Sequence, residues 1–367
     1  MSRFAQFASE RRTVLSLPVV PAALFGIVLG LAGLGGAWRV GVGAWGLPTA
    51  IGEVIYLLAS LVWALQTLLF AAKWIFLPSL AAGEANDPIQ CCFIGLAGVA
   101  AMLTALGLLP YARGAAGVLF AVGGLYTLGF AVWRTGGLWQ GGREATSLTP
   151  VLYLPTVAGL FVSGAVASAF GLHPLNQLAF GAGLFSWLAI ESVLLNRLLT
   201  ASTLPVPLRA TLGIQLAPPC VGAVTYLTSA GGRPDLLAHM MIGYGLLQLL
   251  VVGRLLPWIG EASLSESHWS FTFGGTSLAN ASIRLATHGD FGLMEIIAFI
   301  TFALANVLVG AVTIATVLRL AQGKLVRLAP LSAARSEDVP AKMTATSLSS
   351  ELPGGGVQLR QNDERHE

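Results

Sequence analysis

Thr276, Ser277, Asn280 and Arg284 crowd the end of the stretch HWSFTFGGTSLANASIR, residues 268–284. On a helix at about 100° per residue, with Phe273 at zero, Thr276 falls at about 300°, Asn280 at about 340°, Arg284 at about 20° and Ser277 at about 40°. These residues make one narrow polar stripe, with an aromatic ring on it. Hydroxyl and amide groups can replace part of an anion's hydration shell without trapping it, and a guanidinium draws anions toward them. A ring on such a stripe protrudes into any water path and can close it as a hydrophobic constriction. A packing reading stands beside this one: Phe273 as a core residue, with the stripe hydrogen-bonded to neighbouring helices. Phe271 falls at about 160°, on the far side, where packing against a neighbour is its ordinary role.

The same chemistry recurs elsewhere. Thr104, Ser163, Thr211 and Gln215 are candidates to line a nearly neutral lumen with Thr276, Ser277 and Asn280. Arg39, Arg209 and Arg284 are candidate basic residues at its mouths. Glu191, in FSWLAIESVLLNRLL, is the main deep charge, and an ion pair or helix-end interaction involving Arg197 is its expected role. Coupled carriers usually need carboxylates at mid-membrane, so their scarcity on the odd-numbered apolar segments favours passive movement. Cys91, Cys92 and Cys220 have neither a disulfide pattern nor metal-ligand spacing. The five histidines are scattered, and there is no Walker loop, GxSxG or dinucleotide fingerprint. No cofactor and no enzymatic activity is expected.

What must position these residues is a membrane bundle. Of 367 residues, 55% are hydrophobic and 10% charged, where a soluble domain carries about 25% charged. Mean hydropathy is +0.76. The apolar runs are long and continuous, unlike the short alternating strands of a barrel. Ten candidate spans follow, near 17–37, 48–73, 90–109, 114–134, 150–170, 175–197, 207–228, 235–256, 268–285 and 291–320. Arg11-Arg12 precede a run long enough to be a retained first helix rather than a cleaved signal. Sorting basic residues by loop parity puts Arg3, Arg11, Arg12, Lys73, Arg134, Arg143, Arg197, Arg209, Arg254, Arg319, Lys324 and Arg327 on one side. Only Arg39, Arg113, Arg233 and Arg284 fall on the other. The positive-inside rule then makes both termini cytoplasmic. The expected division is an arm over 1–14, a ten-helix domain over 15–326 and a disordered cytoplasmic tail over 327–367. A net charge of +3 gives no indication of nucleic acid.

Odd and even spans differ. Glycine and proline gather in the odd ones, with Pro21, Gly98, Pro155, Pro218 and Gly274 as candidate kink positions. Such bends belong in protein or beside a water-filled cavity. The pattern suggests odd helices inside and even helices outside, as five hairpins in a ring. Span four and Gly181 and Gly183 of span six depart from it, and glycine used for close packing is the competing account.

The blocks FGIVLGLAGL (25–34), YLPTVAGLF (153–161), FGAGLFSWLAIESVLL (180–195), RATLGIQLAPP (209–219), GYGLLQLL (243–250), RLLPWI (254–259) and WSFTFGGTSLAN (269–280) occur in this order. In them the chain resembles the tellurite-resistance/dicarboxylate transporter family, which takes in bacterial TehA proteins and the plant guard-cell slow anion channel. The resemblance covers roughly residues 15–326. It implies an all-α integral membrane fold, with ten helices as five hairpins in a quasi-fivefold ring around a central pore. It further implies a homotrimer in the bacterial inner membrane with one pore per subunit, small inorganic or organic anions as the cargo, and an aromatic gate at Phe273. The sequence departs from the family at Gly98, in IGLAGVAAM, where members often carry a proline. The rival expectations are a carrier for dicarboxylates or tellurite-type oxyanions and, from another class, a membrane redox protein or enzyme.

Overall fold

The computed structural model describes residues 16–330 apart from Arg143, Gly232, 262–264 and 290–291. The arm expected over 1–14 and the tail from 331 onward lie outside the described residues. In hydrocarbon each backbone polar group must be satisfied within its own segment, so the apolar runs become helices. They are α1 (Phe25–Trp45), α2 (Thr49–Phe76), the short α3 (Pro78–Asn86) and α4 (Cys91–Ile94), α5 (Leu96–Leu108), α6 (Arg113–Trp139) and α7 (Gly159–Ala169). Then come α8 (His173–Thr200), α9 (Ala217–Ser229), α10 (Leu236–Ile259), α11 (Ser270–Thr287) and α12 (Leu293–Ala321).

Nine helices among the described residues are long and apolar enough to cross a membrane, and they alternate in burial. The apolar windows of 22–45, 91–108, 150–169 and 206–229 are 61%, 83%, 67% and 83% buried, whereas those of α2, α6, α8, α10 and α12 are 22%, 22%, 28%, 33% and 22% buried. The exposed faces of the second group are Leu, Val, Ile and Phe, such as Leu61, Leu125, Phe185, Leu250 and Phe299. Such surface suits lipid tails, which compete on equal terms with apolar side chains. The polar helix α11 falls outside the nine, yet all but three of its eighteen residues are buried. It packs against α1, α9, α10 and α12, while α1 also meets α5, α5 meets α7, and α7 meets α9.

Several expected boundaries move. Span one begins at Ala22 rather than 17, because Ser16–Val19 is a strand, β1, paired antiparallel with β2 (Arg327–Pro330). The expected tail therefore starts with four residues held in a two-stranded ladder with β1. Pro21 is extended (φ −70°, ψ 148°) and caps the first turn instead of bending a helix. The break in span three falls at Gly95, between α4 and α5, and not at Gly98. Gly98 serves close approach: a Cβ there would lie 2.7 Å from the Gly123 carbonyl oxygen of α6. Gly274 likewise sits in unbroken helix, where a Cβ would meet the Leu216–Ala217 backbone at 2.9 Å. Pro155 does mark a distortion, a π-helical turn over Leu154–Ala158. Pro218 lies just after the change from the 3-10 stretch Val206–Leu216 into α9.

A buried polar clamp fixes the start of span one. Lys73 is fully buried, pairs with Glu84 of α3, and donates to the Val20 carbonyl at 2.8 Å. Glu84 Oε1 accepts from the Ala22 N–H at 2.7 Å, so one carboxylate neutralises the lysine and satisfies a free donor at the helix start.

Candidate functional site

The first residues of every odd span converge on one cavity of about 60 Å³. Gly26 and Leu29 come from α1, Phe93 and Leu96 from the third span, Tyr153 and Leu154 from the fifth, Thr211 and Pro218 from the seventh, and Trp269 and Phe273 from the ninth. The last residues of the same spans converge on a second, of about 540 Å³, with Gly36, Arg39, Leu106, Ser168, Thr228, Asn280 and Arg284 in its wall. The two cavities therefore follow one another along the bundle. On α11 they are separated by the seven-residue step from Phe273 to Asn280, about 10 Å at 1.5 Å per residue.

The orientation of α11 is set by its small residues. Thr272 and Thr276 press on Gly30 and Gly33 of α1, Gly274 on the Leu216–Ala217 backbone, and Gly275 approaches Leu308 of α12. With those faces occupied, Phe273, Asn280 and Arg284 face the cavities. Ser277, buried, shares their helix face between them. Thr276 leaves the stripe: it is fully buried, and its hydroxyl donates to the Phe273 carbonyl oxygen at 3.1 Å. Phe271 packs with Leu204, Leu212, Val252 and Ile259 on the opposite side, as its position on the wheel requires. Trp269 and Trp38 fasten the arrangement to α12 through indole donors to Thr316 and Asn306, each at 2.9 Å.

The remaining polar candidates separate. Thr211 lines the Phe273 cavity, its hydroxyl donating to the Leu208 carbonyl oxygen at 2.6 Å. Thr104, Ser163 and Gln215 line neither cavity. Thr104 and Ser163 bond back to the carbonyls of Ala100 and Gly159, a turn earlier. Gln215 is buried with its Oε1 unpartnered among the described residues. Glu266, absent from the sequence-based candidates, lies in the 3-10 turn before α11 and lines the Phe273 cavity.

The three mouth arginines are not equivalent. Arg39 is bound by Glu53 through Nε at 2.8 Å and Nη2 at 2.7 Å, donates to the carbonyls of Leu106 and Gly107, and lies 4.0 Å over the Tyr56 ring. Arg209 lines neither cavity; it pairs with Glu261, donates to the Trp258 carbonyl at 3.1 Å and stacks on the Trp258 ring. Their charges are largely answered by carboxylates. Arg284 donates through Nε to Asn280 Oδ1 at 2.8 Å and has no ion pair among the described residues. It is the cavity-lining guanidinium left with charge to offer an anion, and Tyr56, His173 and His288 share its cavity.

Glu191 corrects an expectation. It makes no ion pair with Arg197, which donates instead to the Ser202 carbonyl at 3.0 Å. The buried carboxylate accepts from three neutral donors: Tyr153 Oη, Trp187 Nε1 at 3.1 Å and Tyr244 Oη at 2.5 Å. Among the described residues no cluster of His, Cys, Asp and Glu could hold a metal ion.

Residues 19–317, which carry both cavities and Phe273, match the voltage-dependent anion channel family, SLAC1. The chain belongs to this family. It is 36% identical over 306 residues to the tellurite resistance protein TehA homolog of Haemophilus influenzae, covering 83% of this chain and 92% of that protein. It is 24% identical over 189 residues to the S-type anion channel SLAH3 of Arabidopsis thaliana, covering 52% of this chain and 29% of the plant protein. Membership of the SLAC1 family, with the multiple apolar helices, makes this a multi-pass membrane protein of anion transport.

Proposed function

We propose that the protein is an inner-membrane anion channel, with passive conduction through the two aligned cavities of each subunit and closure at Phe273. The observation that carries this reading is the pair of cavities built from opposite ends of the same five spans, with Phe273 on one and, on the other, Arg284, which has no ion pair among the described residues. The closed circuit of contacts among α1, α5, α7, α9 and α11 supports a ring of five hairpins with α11 as the tenth crossing. Its low hydropathy follows from its place: enclosed by α1, α9, α10 and α12, it needs no lipid-compatible face. The basic-residue bias supports both termini on the cytoplasmic side, and thus the Phe273 cavity at the cytoplasmic end. The homotrimer rests on the resemblance.

Anions are drawn to the Arg284 end by its guanidinium, pass Asn280 and Ser277, and are stopped by the Phe273 ring. Phe273→Ala removes the ring and is expected to raise anion conductance in planar bilayers at least tenfold over wild type. A variant as silent as wild type removes Phe273 from the gate. The second reading is a carrier for small dicarboxylates or tellurite-type oxyanions, favoured by the name of the Haemophilus relative. It requires saturable flux that is lost with Asn280, where the channel gives current proportional to voltage.

A further inference from the structure

In the wall of the Phe273 cavity, Tyr153 as well as Trp269 is held from outside the inner helices. Tyr153 is 1% exposed and lines that cavity with Phe273. It stands between a 3-10 turn (Pro150–Leu152) and the π-helical turn over Leu154–Ala158, where Pro155 removes a backbone donor. The change of helical pitch here falls at Tyr153, whose N–H bonds back to the carbonyls of Pro150 and Val151, so the backbone is held but the ring's direction is left to its hydroxyl. The fixing comes from Glu191 on the outer helix α8, whose Oε2 accepts from Tyr153 Oη and from Trp187 Nε1, while Oε1 accepts from Tyr244 of α10. Every donor to this buried carboxylate is neutral. Its lone pairs are best answered with all three in place, and an unmade bond to a buried carboxylate is costly.

We infer that Glu191 is a positioning residue of the pore. It draws the Tyr153 hydroxyl outward, away from Phe273, and so keeps the narrow cavity open behind the gate. Without the tether, the ring is free to lean into the cavity of about 60 Å³ beside it. This rests on reading that cavity as part of the anion path, but the test does not depend on current.

The full chain, with Cys91, Cys92 and Cys220 replaced by Ala, carries Ala217→Cys as a reporter in the Phe273 cavity or Thr203→Cys as an exposed control outside it. Each is reacted with an anionic methanethiosulfonate. Tyr153→Phe and Glu191→Leu are each expected to slow reaction at position 217 at least threefold, with the double variant no slower than either alone, and with position 203 unchanged. Glu191→Gln, which keeps an acceptor for Tyr153, stays within twofold of the parent, as does Tyr244→Phe, which leaves the Tyr153 bond in place. An unchanged rate in Tyr153→Phe, or multiplying effects in the double variant, overturns the inference. Where Glu191→Leu does not fold, Tyr153→Phe against Tyr244→Phe decides. If Phe273→Ala carries no current while the labelling pattern holds, the gate at Phe273 falls and the positioning role stands. If current appears and labelling does not respond, the reverse follows.

Discussion

Replacing Arg284 with Gln removes the one guanidinium that lines the outer cavity without an ion pair among the described residues. A sphere of 540 Å³ has a radius of about 5 Å, and unit charges about 5 Å apart interact by about 0.8 kcal/mol at ε ≈ 80 and about 3 kcal/mol at ε ≈ 20. His173, Gly231 and His288 in its wall are exposed, so the cavity opens to solvent and the lower end governs. At about 0.8–1.4 kcal/mol the local anion concentration, and with it the current in an open Phe273→Ala background, falls about four- to tenfold. The assay is single-channel recording in planar bilayers over a salt series. The Debye length shrinks from about 10 Å at 0.1 M to about 3 Å at 1 M, below the 5 Å separation. The deficit should therefore contract to within about twofold at 1 M. The control is Arg39→Gln with Glu53→Gln, which removes a guanidinium and its carboxylate together and should leave current within twofold of the parent. A deficit for Arg284→Gln that is the same at every salt concentration, or one matched by the paired control, refutes the electrostatic argument.

Other outcomes follow from packing and from the ends of helices. Gly274→Ala drives a methyl group to 2.9 Å from backbone atoms of Leu216 and Ala217 and should destabilise the protein by about 1–3 kcal/mol, read as a lower melting temperature in detergent. Lys73→Met leaves Glu84 without its cation and should cost about 3–5 kcal/mol. Lys73→Met with Glu84→Gln keeps the acceptor for the Ala22 N–H and should recover at least half the loss. Asp235 caps α10 through Ala238 N–H at 2.9 Å, so Asp235→Ala should cost about 1 kcal/mol. Burial raises the Asp235 pKa, but bonds from Ala238 and Tyr226 prevail and hold it below the ordinary 3.8. Its contribution is therefore complete above that value and is lost as pH falls through the lower folded one, which melting curves between pH 6 and pH 3 would register only in the parent.

What could be read from sequence was whatever a helix states about itself. The polar stripe through Phe273, Asn280 and Arg284 depends only on spacing along α11, and the Gly and Pro enrichment of the odd spans reflects their burial on all sides. What escaped depends on partners far along the chain. Glu53 cancels Arg39 from fourteen residues away and Glu261 cancels Arg209 from fifty-two. The donors to Glu191 stand 38 and 53 residues off, besides Trp187 one turn back. Glycine misled for a different reason, since its two uses look alike in one sequence. At Gly95 it marks a break, whereas Gly98 and Gly274 let a neighbouring backbone come close. The strands SLPV and RLAP resembled a span start and a tail because each is satisfied only by the other.

The two cavities themselves follow from parity. If each even span returns the chain across the bilayer, every odd span enters from the same side, and the five run parallel. Like positions on each then meet at like depth, so bends and small residues near the starts open one chamber while residues near the ends open another. Between them α11 packs closely on α1, with Thr272 and Thr276 against Gly30 and Gly33. Opening by sliding those helices apart would break a glycine-packed seam, whereas opening at Phe273 needs one side-chain rotation into space already present behind it. On the proposed channel reading little attraction is needed: conduction requires entry favourable enough to occur and binding weak enough to end. One guanidinium without an ion pair among the described residues, followed by Asn280 and Ser277, meets both conditions better than three unpaired guanidiniums would, since these would hold an anion more tightly than they pass it.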